Sequence, residues 1–387
     1  MDRKFTRNFI SWIGTACWND RVARIRARVQ VGTRSGRLAA QRFLAESALE
    51  KSRRGLALSA AECSLVELAA RIPVLHRTLS AAGQARLREM VEAALVGEAT
   101  LLPVLHLLHT AHLQEARGFA IAYTGFEEAT PFDLLISRDG MQAEIACDSV
   151  SAEDGHAVHR GSWTQLMDRI DPDLQTWLAA HPGRYLLKLT LPKGLKSHAE
   201  DLPALHERIR DFLTTAKRAD YDEAALLRLD PLLLAGAQAS DKMVGILAKL
   251  RREFGPEAHF AATEAGTSLF IMAARGGEEN DVAAMVRRRL AAIAPARLTG
   301  TRPGILAICV ADTDQLEWQS LRDKLLLEGE ARQFLTFPEA RSVVAVTFAS
   351  RYEMTKAGAP EGDLRFRNPL HPEAKSAALA PAVLSTV

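Results

Sequence analysis

The reading of this chain turns on residues 118–155, GFAIAYTGFEEATPFDLLISRDGMQAEIACDSVSAEDG. Apolar residues alternating with polar ones predict strands over 119–124, 132–137 and 142–148, because side chains on a half-buried strand repeat every two residues. Between the last two strands, Arg138-Asp139-Gly140 reads as a tight hairpin turn, since Asp-Gly tolerates the positive φ such a turn requires. Glu144, Ala146 and Asp148 stand at alternate positions of the third strand and so share one face. Asp133 opens the strand before it. Carboxylates on two hairpin-paired strands can hold Mg²⁺, which prefers oxygen ligands and keeps several waters. An ion held there lowers the pKa of a bound water and stabilises charge on a phosphate. The expectation is that Asp133, Glu144, Ala146 and Asp148 meet on one open edge or cleft of a central mixed sheet.

Working outward, a helix is expected from 98 to 117, restarted at Pro103 and stopped by Gly118. Residues 163–180 read as a helix broken by His181-Pro182-Gly183, with a strand following at 184–191. Alternation continues: a helix at 202–217, strands at 259–263 and 268–274, a helix at 281–293, a strand at 304–311, a helix at 316–334 and a strand at 342–350. These pieces are expected to extend a single α/β sheet. The first hundred residues read as helical; Ser59-Ala-Ala-Glu62 has the form of a capping box, and Pro73 marks a boundary. The expected organisation is a basic helical region at 1–97, an α/β domain at 98–355 and a loosely structured tail at 356–387.

The succession of helix, three strands, helix and strand over roughly 98–191 resembles the PD-(D/E)xK nuclease superfamily. The resemblance implies a restriction-endonuclease-like mixed sheet flanked by helices, with Mg²⁺ at its site. It places Asp133 at the family's hairpin aspartate, while the next strand carries an acid, one intervening residue and a lysine. Some bacterial members have a run like ECKTVS there. The matching run here is Ala146-Cys147-Asp148-Ser149-Val150-Ser151, so Ala146 replaces the acid and Asp148 the lysine. Shifting the frame to Glu144-Ile145-Ala146 restores the acid but still lacks the lysine. An aspartate at the lysine position adds repulsion toward phosphate where a cation would orient the attacking water. Lys188 on the following predicted strand is the candidate substitute. Asp133, Glu144 and Asp148 are therefore the catalytic and metal candidates, either active or vestigial. An ordinary reading of each, as a strand-end residue or the partner of a nearby arginine, stands beside that one.

Charge is unevenly spread. Residues 1–55 hold thirteen Lys and Arg against four acids, while the chain as a whole is +2. Arg21, Arg24, Arg26, Arg28, Arg34 and Arg37 are the nucleic-acid-binding candidates, since such a segment can neutralise phosphates without sequence preference. The competing readings are a solvated helix face and a contact with an acidic surface of the protein itself. No apolar run reaches the roughly 20 residues a membrane span needs. The opening MDRKFTRNFISWIGTAC imitates a signal peptide, but its apolar stretch is short and broken by Ser11 and Gly14. Four dispersed cysteines with no CxxC pair argue against a structural zinc site and a disulfide framework, and a cytoplasmic location is expected.

Other groups are weaker. His106, His109 and His112 recur every three residues on a predicted helix, so their directions drift by about 60° per step. His156 and His159 fall in a predicted surface loop, and Glu115 lies on the helix before the first strand. No phosphate-binding glycine loop or serine nucleophile elbow is present. Three functions follow as alternatives: a nuclease-like protein that has lost hydrolysis and acts as a nucleic-acid-binding or scaffolding protein, an active Mg²⁺-dependent DNA nuclease with a relocated base, and a protein-protein interaction module docking through its N-terminal helices. Fold alone does not choose among them.

Overall fold

A computed structural model describes residues 3–196, 201–215, 217–231, 243–255, 258–278, 280–355 and 363–386. Among these the strands are β1 (Ala120–Ala122), β2 (Leu134–Arg138), β3 (Met141–Ser151), β4 (Arg184–Leu191), β5 (Ala219–Tyr221), β6 (Leu226–Pro231), β7 (His259–Ala265), β8 (Ser268–Gly276), β9 (Gly304–Ala311), β10 (Val343–Ala349) and β11 (Leu364–Arg367). They form two mixed sheets, ordered β1-β2-β3-β9-β10-β11 and β5-β6-β4-β8-β7. The protein is thus α/β, with helices throughout its N-terminal part. The chain divides into two compact units: residues 1–28, 39–154 and 283–387 form one, and residues 29–38 with 155–282 form the other.

In the first unit the β2–β3 hairpin closes as its sequence predicts. Asp139 and Gly140 both have positive φ, 51° and 79°, which matches the right-handed twist of the flanking strands. β3 then pairs in parallel with β9, Asp148 facing Ile308 in register, and β9 pairs in parallel with β10. Every residue of β10 and all but the last of β9 are buried, as the unbroken apolar runs of central parallel strands require. The helix Val282–Arg297 leads directly into β9.

The N-terminal helices do not keep a core to themselves. Phe9, Trp18, Leu49, Val66, Ile72 and Val91 pack in one continuous cluster with Leu105 and Leu108 of the helix Leu102–Ala116, and with Ile145 of β3 and Ala307 of β9. The Ser59–Glu62 capping box forms as expected, with Ser59 accepting from the Glu62 N–H and Glu62 from the Ser59 N–H. The C-terminal stretch departs from the expected loose tail. β11 pairs antiparallel with β10, and Leu379, Ala382 and Val383 are fully buried in the same cluster, because apolar side chains spaced along an Ala- and Pro-rich segment still have a sheet to cover. Part of the expected tail, 356–362, lies outside the described residues.

In the second unit, β4 is a central strand flanked by β6 and β8. The single extended sheet expected from the alternation is therefore two sheets, and β4 does not belong to the one that holds β1–β3. The helices Arg160–Ala180 and Asp201–Thr214 pack through Trp163, Leu166, Ile170 and Ile209 on one face of the second sheet. The helix Met243–Phe254 packs through Ile246 and Leu250 on the other. The ends of the unit's longer segment, 155–282, lie side by side: the Asp281 N–H donates to the Gly155 carbonyl at 2.8 Å. A Cβ on Gly155 would stand only 2.5 Å from the Val282 Cα, so the close approach requires glycine.

Candidate functional site

The three acidic candidates are placed by β2 and β3. Asp133 lies one residue before β2, where its N–H still donates to the Ile145 carbonyl at 3.0 Å. Its Oδ2 accepts the Cys147 N–H at 2.7 Å, so the side chain does what a strand carbonyl would do further along. Glu144 and Asp148 project on the same face of β3 as Ala146. What lies against them is the segment 289–302. Arg289 Nε donates to Asp148 Oδ2 at 2.5 Å, and Arg297 Nη2 donates to Asp133 Oδ2 at 2.8 Å. Glu144 accepts the Thr299 N–H at 2.9 Å and the Thr299 hydroxyl, with the Arg302 guanidinium at 3.5 Å.

Asp133 and Asp148 thus share a face, since one helix binds both, but among the described residues that helix covers them where an open cleft was expected. Glu144 is 0% exposed and Ala146 1% exposed. The helix Val282–Arg297 and the residues after it close over the acids and supply each with a donor. Among the described residues no group of three or more His, Cys, Asp or Glu is arranged to hold a metal ion. Burial raises the Asp133 carboxyl above its ordinary value, against the opposing effects of Arg297 and the Cys147 N–H; the neighbouring Asp148 raises it further. The hydrogen bond that Arg289 donates to Asp148 raises Arg289 in turn, as a settled ion pair does. Burial pushes the Cys147 thiol well up, which disfavours its thiolate form. All four cysteines are free thiols.

Lys188, the candidate substitute for the missing lysine, lies on β4 in the second sheet. There its ammonium pairs with Asp230 at 3.1 Å and sits 5.2 Å from the centre of the Phe254 ring. The residues that sequence reasoning missed are Arg289, Arg297, Thr299 and Arg302. Their only local signal was the basic run Arg287-Arg288-Arg289, which does not say which sheet face it will meet.

The N-terminal arginines are mostly engaged inside the protein. Arg21 is 1% exposed, bonded to Glu46 at 2.9 Å and to the Gly97 carbonyl at 3.0 Å, with its guanidinium over the Phe43 ring at 4.9 Å. A group so enclosed cannot reach a phosphate, and this corrects its place among the nucleic-acid candidates. Arg24 donates to the Leu95 carbonyl, Arg26 to Glu50 at 2.9 Å, and Arg28 pairs with Glu98. Arg34 pairs with Asp171 at 2.9 Å and donates to the Ala262 carbonyl at 2.7 Å. Arg37 is exposed and, among the described residues, has no ion-pair partner.

The histidines do not converge. His106 is buried, its Nε2 3.1 Å from the Ala307 carbonyl, and burial lowers it to about 4. His112 is half-exposed, 3.7 Å from Glu115, which also meets Arg71 on the surface. His156, expected in a surface loop, is buried, 6.2 Å from His259 between ring centres, while His159 precedes the helix Arg160–Ala180. Among the described residues no helix is long and apolar enough to cross a membrane. No protein-family model, curated protein or solved structure matches this chain.

Proposed function

We propose that this chain is a catalytically silent relative of the PD-(D/E)xK nucleases, retaining a restriction-endonuclease-like core in a binding or scaffolding role. The observation that carries the reading is the neutralisation of all three acidic positions by one segment of the same chain: Arg289 on Asp148, Arg297 on Asp133, and Thr299 with Arg302 on Glu144. Chain order supports it too. A helix, three antiparallel strands, a crossover helix and a parallel strand occur as Leu102–Ala116, β1–β3, Val282–Arg297 and β9. The segment between β3 and the crossover helix is then an inserted unit.

The Mg²⁺ that the resemblance implies does not fit the residues present. Its ligands would be carboxylates with free oxygens facing a common space, and here guanidinium groups stand against them. A cation beside a guanidinium is repelled, about 1 kcal/mol even in water at 4 Å and more where water is excluded. DNA held by the N-terminal segment is disfavoured for the same kind of reason, since Arg21, Arg26, Arg28 and Arg34 already have acidic partners. The test is a cleavage assay with Mg²⁺ and with Mn²⁺ on single- and double-stranded DNA, run beside a DNA-binding titration at several salt concentrations. No cleavage, with weak binding of shallow salt dependence, is expected. Robust cleavage abolished by Asp133→Ala would establish the active nuclease instead.

A further inference from the structure

A second feature lies within the same unit as the acids but shares none of their residues. At the C-terminal ends of the parallel strands β3 and β9 the structure leaves a cavity of about 480 Å³. That is within the size range of small-molecule sites, and the carboxyl ends of parallel strands are where open α/β sheets hold ligands. Its apolar wall comes from Leu65, Met90, Ala94, Leu102 and Pro103. Its polar wall comes from the strand ends, through Ser149, Ser151 and Asp312, and from Arg42 and Arg351.

The charges facing the cavity do not cancel on its polar side. Glu46 lines it but is bound by Arg21 at 2.9 Å, and Glu98 is bound by Arg28. Arg42 reaches Asp312 only at 3.5 Å, and Asp312 also accepts the Ser151 hydroxyl at 2.8 Å. Arg351 donates to the Gln41 carbonyl at 3.0 Å and to the Tyr352 hydroxyl at 2.7 Å. Among the described residues Arg351 has no acidic partner. One further feature marks the place as more than a packing gap. Asp312, immediately after β9, is held at φ 55°, a left-handed conformation that few non-glycine residues adopt and that clusters at ligand sites.

We propose that this cavity binds a small amphipathic oxyanion, a molecule with a short aliphatic body and a terminal carboxylate or phosphate. The body lies against Leu65, Met90 and Leu102. The anion meets Arg351 and Arg42, whose guanidinium groups keep further N–H donors for a charge-assisted hydrogen bond. This site is independent of the nuclease resemblance, because none of its residues is one of the three acids or their partners.

The experiment is calorimetric titration of the full chain with octanoate, octyl phosphate and 1-octanol. Binding of at least one of the two anions, about tenfold or more tighter than the alcohol, is expected, the scale of one charge-assisted hydrogen bond. Which anion binds better identifies the carboxylate or the phosphate as the source. Arg351→Gln should weaken the anion by a similar factor and leave the alcohol unchanged; Arg42→Gln serves if that variant does not fold. Equal affinity for octanol and both anions, binding of none of them, or unchanged anion affinity in the folded arginine variant overturns the proposal.

Discussion

Arg297 and the Cys147 N–H converge on a single oxygen of Asp133, Oδ2, at 2.8 Å and 2.7 Å. The carboxylate therefore ties the crossover helix to the edge where β2 joins β3, and one atom serves both strand pairing and helix docking. Removing its cation leaves a largely buried charge with one donor. Arg297→Met should lower stability by about 1–3 kcal/mol, the range for losing a hydrogen bond to a charged group. The double variant Asp133→Asn with Arg297→Met should recover part of that loss. Urea denaturation of the two singles and the double completes the cycle, and strict additivity would show that the pair is not coupled.

Introducing the PD-(D/E)xK pattern at 146 and 148 should damage the fold before it supplies chemistry. Ala146→Glu puts a carboxylate where the side chain is 1% exposed, and Asp148→Lys sets a second cation against Arg289. An unpaired buried charge commonly costs about 3–5 kcal/mol. The double variant is expected to melt well below the parent and to cleave nothing. A parent-like melting temperature with metal-dependent cleavage would refute this.

His106 makes the fold acid-sensitive. Its folded value is lowered to about 4 from an ordinary 6.5, chiefly by burial, so below pH 6.5 the unfolded chain binds a proton that the native chain does not. Stability then rises with pH across that window and is lost as pH falls from 6.5 to about 4. The full span amounts to roughly 3 kcal/mol, from about 1.4 kcal/mol for each unit of pKa difference. His106→Gln, measured by chemical denaturation at several pH values, should flatten this dependence.

Asp133 contributes with the opposite sign. Because burial raises its folded value, the native state holds its proton more tightly than the unfolded state does. Stability from this group is greatest at low pH and falls as pH rises from the ordinary aspartate range through the raised value. Asp133→Asn should remove that loss, which is separable from the His106 effect by its direction.

Gly155 is a point of intolerance at the inserted unit's junction. Gly155→Ala places a Cβ 2.5 Å from the Val282 backbone, where no flexible side-chain end can give way. A loss of about 1–3 kcal/mol, as for overpacking, is expected in thermal or urea denaturation. A neutral result would mean that the two backbone segments separate at little cost.

Local order was legible in the sequence wherever a few adjacent residues decide it. Asp139-Gly140 carries its own turn geometry, Ser59 and Glu62 satisfy each other's backbone donors three residues apart, and the runs of β4 and β9 mark their strands to the residue. Leu325 shows the limit: the helix expected over 316–334 is two helices, Gln315–Asp323 and Leu326–Phe334, broken at a left-handed residue that no glycine announces. Only the tertiary structure decided which sheet each strand joins. Periodicity reports whether a strand has a buried face, and β4 and β9 each follow a helix and pair in parallel with a neighbour, so nothing local distinguishes the one that pairs with β3. The same holds for charge. A run of arginines looks alike whether it meets water, phosphate or a buried carboxylate, and the partners of Arg21, Arg289 and Arg297 lie 25, 141 and 164 residues away along the chain.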